Sequence, residues 1–219
     1  MRTSRLLAML AIAPRLLLAQ ERSPIDRLRA VLPADVADRI IALATDATRR
    51  GLPGQAIAER ALEASARGRN ASVASSAAEA FARDLAETRD AMRRAGRTPD
   101  VSEVEAAATA KELGVDGATI SALASQAPSG RSLAVPLAVI GTLVNRGLPS
   151  ADALKAVLAR LQADASDANL LAMPGEEGRG LGEGDKSGDV GRALSAAGRP
   201  LGVPVNGGHA GARPHTTHP

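Results

Sequence analysis

The chain has no cysteine, tryptophan or tyrosine, and Phe81 is the one aromatic residue among its 219 residues. Without cysteine it can form no disulfide bond, and it lacks thiolate metal ligands and a cysteine nucleophile. Without more aromatic rings, the core must be built from Ala, Leu, Val and Ile, which bury less apolar surface each but allow close helix contacts. The composition therefore favours a core of small and branched aliphatic side chains.

Histidine is also scarce, and its three copies lie near the C-terminus: His209, His215 and His218. The rest of the chain therefore has no histidine to act as a general base or a metal ligand. Acidic pairs such as Asp84/Glu87 and Glu103/Glu105 fit solvated helix surfaces better than general acid/base catalysis. We predict no catalytic residue, no cofactor-binding residue and no metal site, and we expect a protein that is not an enzyme.

A pattern of glycine, an aliphatic residue and a helix starter occurs three times. Its copies are Arg50-Gly51-Leu52-Pro53, Leu113-Gly114-Val115-Asp116 and Arg146-Gly147-Leu148-Pro149. Glycine at a helix end can turn left-handed, so that later amides reach the last carbonyls and the aliphatic residue packs back on the helix. Proline or aspartate then suits the start of the next helix. The pattern predicts helix hairpins with three apolar pairs: Leu52 with Ala47, Val115 with Ala110, and Leu148 with Leu143.

Apolar residues recur at helical spacing between residues 23 and 163, and no segment has a convincing strand pattern. Helical segments are expected to end near residues 32, 51, 68, 95, 113, 124, 146 and 163. The spacing of Ser102 and Glu105 matches a capping box, which predicts that Ser102 begins the fifth helix. The sequence thus predicts an all-α fold, an irregular array or bundle of helix hairpins.

The first 19 residues are basic and apolar. Arg2 and Arg5 precede the apolar residues 6–14, Ala19 is a small residue at a plausible cleavage point, and no acidic residue occurs before Glu21. This layout predicts a signal peptide over residues 1–19 and a periplasmic or secreted protein. Arg15 interrupts the apolar stretch, which leaves open a transit peptide, an interfacial helix or an ordinary first helix.

No stretch reaches the roughly 18 uncharged apolar residues of a membrane span, so no transmembrane anchor is expected. The chain has 27 basic and 24 acidic residues, and subtracting the three arginines of residues 1–19 leaves 24 of each. A mature chain with balanced charge has no overall attraction for nucleic acid or anionic lipid. We therefore expect the partner to be another protein rather than nucleic acid.

Composition changes after Met173, because twelve of the 21 glycines follow it, together with scattered prolines. Such a segment has too little apolar material to offset the cost of ordering the chain. The sequence predicts a helical domain over residues 20–173 and a disordered Gly/Pro-rich tail over residues 174–219.

Residues 106–126 resemble the helix-turn-helix DNA-binding motif, in which Ala110, Gly114 and Ile120 have the motif's spacing. The resemblance implies that residues 117–123 enter a DNA groove and meet bases or phosphates. That segment carries no arginine, lysine, asparagine or glutamine. We expect an exported, non-enzymatic helical module for protein interaction or structure; the alternative is a cytoplasmic DNA-associated regulator that uses residues 106–126.

Overall fold

The computed structural model describes residues 23–181, with side chains through Glu176. This range contains nine α-helices and no strand: α1 (Pro24–Val31), α2 (Ala34–Arg49), α3 (Gly54–Ala66), α4 (Ala71–Arg94), α5 (Val101–Glu112), α6 (Gly117–Gln126), α7 (Ala134–Asn145), α8 (Ser150–Gln162) and α9 (Asp167–Leu181). The all-α prediction is confirmed for these residues. The predicted leader lies outside the described residues, as do residues 182–219 of the predicted tail and all three histidines.

The three predicted hairpin turns all have the glycine-terminated geometry. The glycines have positive φ: Gly51 (74°), Gly114 (101°) and Gly147 (103°). In each turn the amide of the next residue donates to a carbonyl five residues earlier: Leu52 to Ala47 (2.9 Å), Val115 to Ala110 (3.0 Å) and Leu148 to Leu143 (3.1 Å). All six of these residues are buried. Each turn therefore satisfies a terminal carbonyl and closes the helix end with an apolar pair, as predicted.

The helices enclose two hydrophobic cores that share α4 and α5. Phe81 on α4 belongs to the core formed with α1 to α3, whereas Met92 near the end of α4 belongs to the core formed with α6 to α9. On α5, Ala108 faces the first core and its neighbour Ala107 faces the second. The alanine-rich sequence of α5 follows from this position, because small side chains let other helices approach α5 from both sides.

Two buried glycines mark the places where helices come closest. A Cβ added at Gly54 would lie 2.1 Å from the carbonyl oxygen of Ala44, so only glycine lets the start of α3 sit against α2. A Cβ added at Gly141 would lie 3.1 Å from the Cα of Ala110, where α7 crosses α5. The missing side chains thus set the distance between helices in each core.

The start of α5 differs from the prediction. Its N-cap is Asp100, whose carboxylate accepts the Glu103 amide at 2.8 Å, while the Glu103 carboxylate accepts the Asp100 amide at 2.9 Å. The predicted capping box of Ser102 and Glu105 is wrong, because the Ser102 hydroxyl donates to the Asp100 carboxylate at 2.7 Å instead. These contacts hold the pKa of Asp100 below its ordinary value, with the hydrogen bond from the Glu103 amide contributing most.

Glu103 is not a solvated surface carboxylate, contrary to the prediction. Its side chain is buried, and its second oxygen accepts the buried amide of Leu133 at 2.7 Å. One carboxylate therefore joins the start of α5 to the start of α7. Such a buried amide would be costly to leave without an acceptor.

The helical part of the chain continues beyond the predicted boundary at Met173. That boundary falls inside α9, which runs through Pro174 to Leu181. Leu170 and Met173 are buried in the second core, and a guanidinium nitrogen of Arg146 donates to the Pro174 carbonyl. Apolar contacts thus anchor α9 on α7, although its sequence contains proline and several glycines.

Replacing Gly54 with alanine should destabilise the fold by about 1–3 kcal/mol, because the new methyl group has no room. Gly117→Ala is the matched control, since a Cβ there meets open space in the first turn of α6. Alanine at Gly117 should leave stability unchanged or raise it by up to about 1 kcal/mol. Urea unfolding followed by far-ultraviolet circular dichroism measures both changes, and equal effects of the two substitutions would contradict the packing account.

Candidate functional site

An open groove lies between α3 and α5. Both helices pack on α4, and the end of α2 and the turn after it also line the groove. The groove has a volume of about 830 Å³. Its lining comes from α1, α2, the turn after α2, α3 and α5: Ile25, Ala44, Thr45, Thr48, Arg49, Gly51, Leu52, Pro53, Gly54, Gln55, Ala56, Glu59, Val101 and Glu105. We call this surface the α3–α5 groove.

The floor of the α3–α5 groove is apolar because the first hairpin turn forms part of it. Leu52 and Pro53 of this turn are buried, and Ala56 follows on the first turn of α3. Ile25 and Val101 stand at the edges, and Val101 is 51% exposed. The repeated glycine pattern thus produces part of a surface as well as a chain reversal.

The threonine hydroxyl groups in the α3–α5 groove donate hydrogen bonds within their own helix. The Thr45 hydroxyl donates to the Ile41 carbonyl at 2.7 Å, and the Thr48 hydroxyl donates to the Ala44 carbonyl at 2.9 Å. Their donor capacity is therefore used inside α2, and neither hydroxyl is free to donate to a bound molecule.

Glu59 on α3 and Glu105 on α5 both line the groove, and Glu59 is exposed. A smaller cavity of about 270 Å³ continues from this point and shares Ala56 and both carboxylates with the groove. Glu105 is half-buried, and neither carboxylate has a hydrogen bond or ion pair among the residues that the structure describes. Burial raises the pKa of Glu105 above its ordinary value, the negative charge of Glu59 raises it further, and Arg60 partly opposes both effects.

Arg60 bridges α3 and α5 beyond the two carboxylates. Its guanidinium pairs with Glu63 on α3 and Glu112 on α5, both at 2.8 Å, and one nitrogen donates to the Thr109 hydroxyl at 3.3 Å. The guanidinium also lies 4.5 Å from the centre of the Phe81 ring, a cation–π contact. Arg60 is therefore held between an aromatic ring and two carboxylates, and it closes this end of the small cavity.

The neighbouring carboxylates of α4 are paired as well. The Lys111 ammonium bonds Asp84 at 2.6 Å and also bonds Glu87. These partners raise the pKa of Lys111, chiefly through the hydrogen bond to Asp84, and the hydrogen bond from Lys111 lowers the pKa of Glu87. Both acids were expected to be solvated: Glu87 is exposed, as expected, whereas the Asp84 side chain is only 22% exposed, and both form ion pairs from α4 to Lys111 on α5.

The helix-turn-helix-like residues 106–126 form most of α5, the turn at Gly114 and the whole of α6. Asp116 caps α6 by accepting the Thr119 amide at 2.7 Å. No charged side chain occurs on α6, and Lys111 on α5 is engaged by Asp84 and Glu87. The surface of α6 therefore offers no cation to a phosphate backbone. DNA binding by this segment stays a prediction.

Sequence reasoning did not single out Glu59, and it placed Glu105 among solvated surface acids. Neither residue belongs to a recognisable sequence motif, because the two carboxylates come together only through the packing of α3 and α5 on α4.

Within residues 23–176, no group of three or more His, Cys, Asp or Glu side chains is arranged to hold a metal ion. No helix in the described part of the chain has the length and apolarity to cross a membrane.

No family model, curated protein or solved structure matches the chain.

Replacing Glu59 with glutamine should lower the pKa of Glu105 toward its ordinary value of 4.5, because it removes a neighbouring negative charge. Carbon-detected NMR titration of the Glu105 carboxyl measures this change. Glu79→Gln, on an exposed part of α4, is the control and should leave the Glu105 titration unchanged. An unaltered pKa in the Glu59 variant would contradict the proximity of the two carboxylates.

The raised pKa of Glu105 also fixes the direction in which the stability of the fold changes with pH. The folded chain binds the Glu105 proton more tightly than the unfolded chain does, so ionised Glu105 weakens the fold above its folded pKa. The destabilisation by ionised Glu105 decreases as the pH falls through its folded pKa toward the ordinary value of 4.5. The Glu59→Gln variant should therefore gain less stability than the parent protein on mild acidification.

Proposed function

We propose that the protein is an exported, non-enzymatic helical module that binds another protein in the α3–α5 groove. In this proposal residues 1–19 are removed on export, the helical body supplies the binding surface, and the Gly/Pro-rich residues after α9 act as a tether. The periplasm or the exterior is the proposed location. The basic and apolar leader sequence supports export, and the groove supports protein binding.

The single observation that carries the binding proposal is the apolar floor of the groove beside two unpaired carboxylates. Val101 is 51% exposed and Ile25 is half-buried, whereas Leu52 and Ala56 line the groove but are already buried. Apolar surface rimmed by polar groups is typical of protein interaction sites. A partner that covers the groove would remove the exposed parts of Val101 and Ile25 from water, which stabilises the complex.

Two carboxylates in a groove also occur in glycoside hydrolases, where one acid has a raised pKa. Here the groups around Glu59 and Glu105 favour a binding surface. Thr45 and Thr48 donate to their own helix, and the nearby Arg60 is engaged by Glu63 and Glu112. A hydrolase would need further polar groups to fix a sugar in position, whereas a protein partner can use the apolar floor itself.

Intact mass and N-terminal sequencing of the protein from fractionated native cells test the export step. We expect a chain that starts near Gln20 in an exported fraction. An uncleaved chain in the cytoplasm would overturn the proposed location. It would also restore Arg2, Arg5 and Arg15 to the working protein and make salt-dependent binding to duplex DNA the next assay.

Photo-crosslinking in the same cells tests the binding surface. A photoreactive amino acid at Gln55, which is exposed and lines the groove, should crosslink to one defined protein partner. The same amino acid at Ser76, exposed on α4 and outside the groove, is the matched control and should give no such product. Absence of a crosslink at Gln55, or equal crosslinks at both positions, would contradict the groove as the binding surface.

A further inference from the structure

We infer that the segment bound in the α3–α5 groove is an amphipathic helix of the partner that places a lysine or arginine between Glu59 and Glu105. This inference rests on the proposed function and adds the chemistry of the partner. Apolar side chains of the same helix cover the groove floor. Helix-in-groove recognition of this kind uses one face of the bound helix, with anchors three or four residues apart.

These two carboxylates differ from the neighbouring acids in having no ion-pair partner in the described part of the chain. On the same side of the molecule, four acids have a cationic partner within the chain: Glu63, Glu112, Asp84 and Glu87. Glu59 and Glu105 form no ion pair among the described residues, and the charge of Arg60 only partly offsets the repulsion at Glu105. The fold therefore leaves one pair of like charges incompletely compensated, at the point where the groove meets the smaller cavity.

The surroundings of Glu59 and Glu105 also favour a cation. Glu105 is half-buried, so part of its hydration is already lost in the free protein. A cation placed between Glu105 and Glu59 would replace repulsion by two charge-assisted hydrogen bonds. Arg60 cannot supply this cation, because its guanidinium is held by Glu63, Glu112 and the Phe81 ring.

The charges that line the groove disfavour other occupants. Phosphate-rich partners such as nucleic acid or an anionic lipid surface would meet the repulsion of Glu59 and Glu105. A peptide that is basic along its whole length would meet Arg49, which is exposed at the α2 end and has no ion pair among the described residues. The groove thus fits a helix with one cation at the Glu59 and Glu105 end and a neutral or acidic residue near Arg49.

Because the chain has no cysteine, a single Gln55→Cys substitution allows one environment-sensitive dye to be attached at the groove. The probes are three synthetic amphipathic helices that differ at one position, which is lysine, glutamine or glutamate. Each is titrated against the labelled full-length chain at low salt. We expect the lysine helix to bind about fivefold to tenfold more tightly than the glutamine helix, and the glutamate helix to bind most weakly.

Substitutions at Glu59 and Glu105 test whether these two carboxylates cause the preference for the lysine helix. In the Glu59→Gln/Glu105→Gln double variant the preference for lysine should disappear, whereas Glu79→Gln should retain it in full. Circular dichroism verifies that each variant is folded. Added salt should weaken the lysine helix most, since its advantage is electrostatic.

Three results would overturn the inference: no binding by any helix, equal binding of the lysine and glutamine helices, or a lysine preference that survives the double substitution. The proposed function fails separately, if the photoreactive group at Gln55 captures no partner in cells. A crosslinked partner together with no lysine preference would retain the binding module and remove only its cationic ligand.

Discussion

The architecture depends on helix ends that glycine terminates in a left-handed conformation. Positive φ at Gly51, Gly114 and Gly147 lets the next amide reach back into the helix, and the aliphatic residue that follows seals the turn. Each such end reverses the chain within a few residues and brings the next helix close. With one aromatic residue in the chain, this close approach is what allows alanine-rich faces to form two cores.

The α3–α5 groove is a consequence of this packing. Both helices lie on α4, and Arg60 of α3 links them through its contacts with Glu112 and Thr109 of α5. The groups available to bind a partner are therefore two carboxylates at the edge of the first core. Glu59 and Glu105 line the groove there and form no ion pair in the described part of the chain.

The helices and their glycine ends could be predicted from the sequence because both depend on local patterns. The N-cap of α5 could not, since Asp100 and Ser102 have similar local capping potential and the choice depends on Glu103, which also accepts the distant Leu133 amide. Helix α9 was not predicted at all, because it depends on burial of Leu170 and Met173 in the second core, a tertiary contact that its sequence does not reveal. The groove itself was unpredictable, because Glu59 and Glu105 meet only through the tertiary arrangement of α3, α4 and α5.

The titration of Glu105 in the bound state tests most directly whether the groove recognises a cation. Its carboxyl carbon is followed by NMR across the acidic pH range, once in the free protein and once with the saturating lysine helix. The account predicts that binding lowers the pKa of Glu105 from its raised value, because an ammonium group then stabilises the ionised form. An unchanged or higher pKa in the saturated complex would contradict the account, since the bound helix would then place no cation beside the carboxylate.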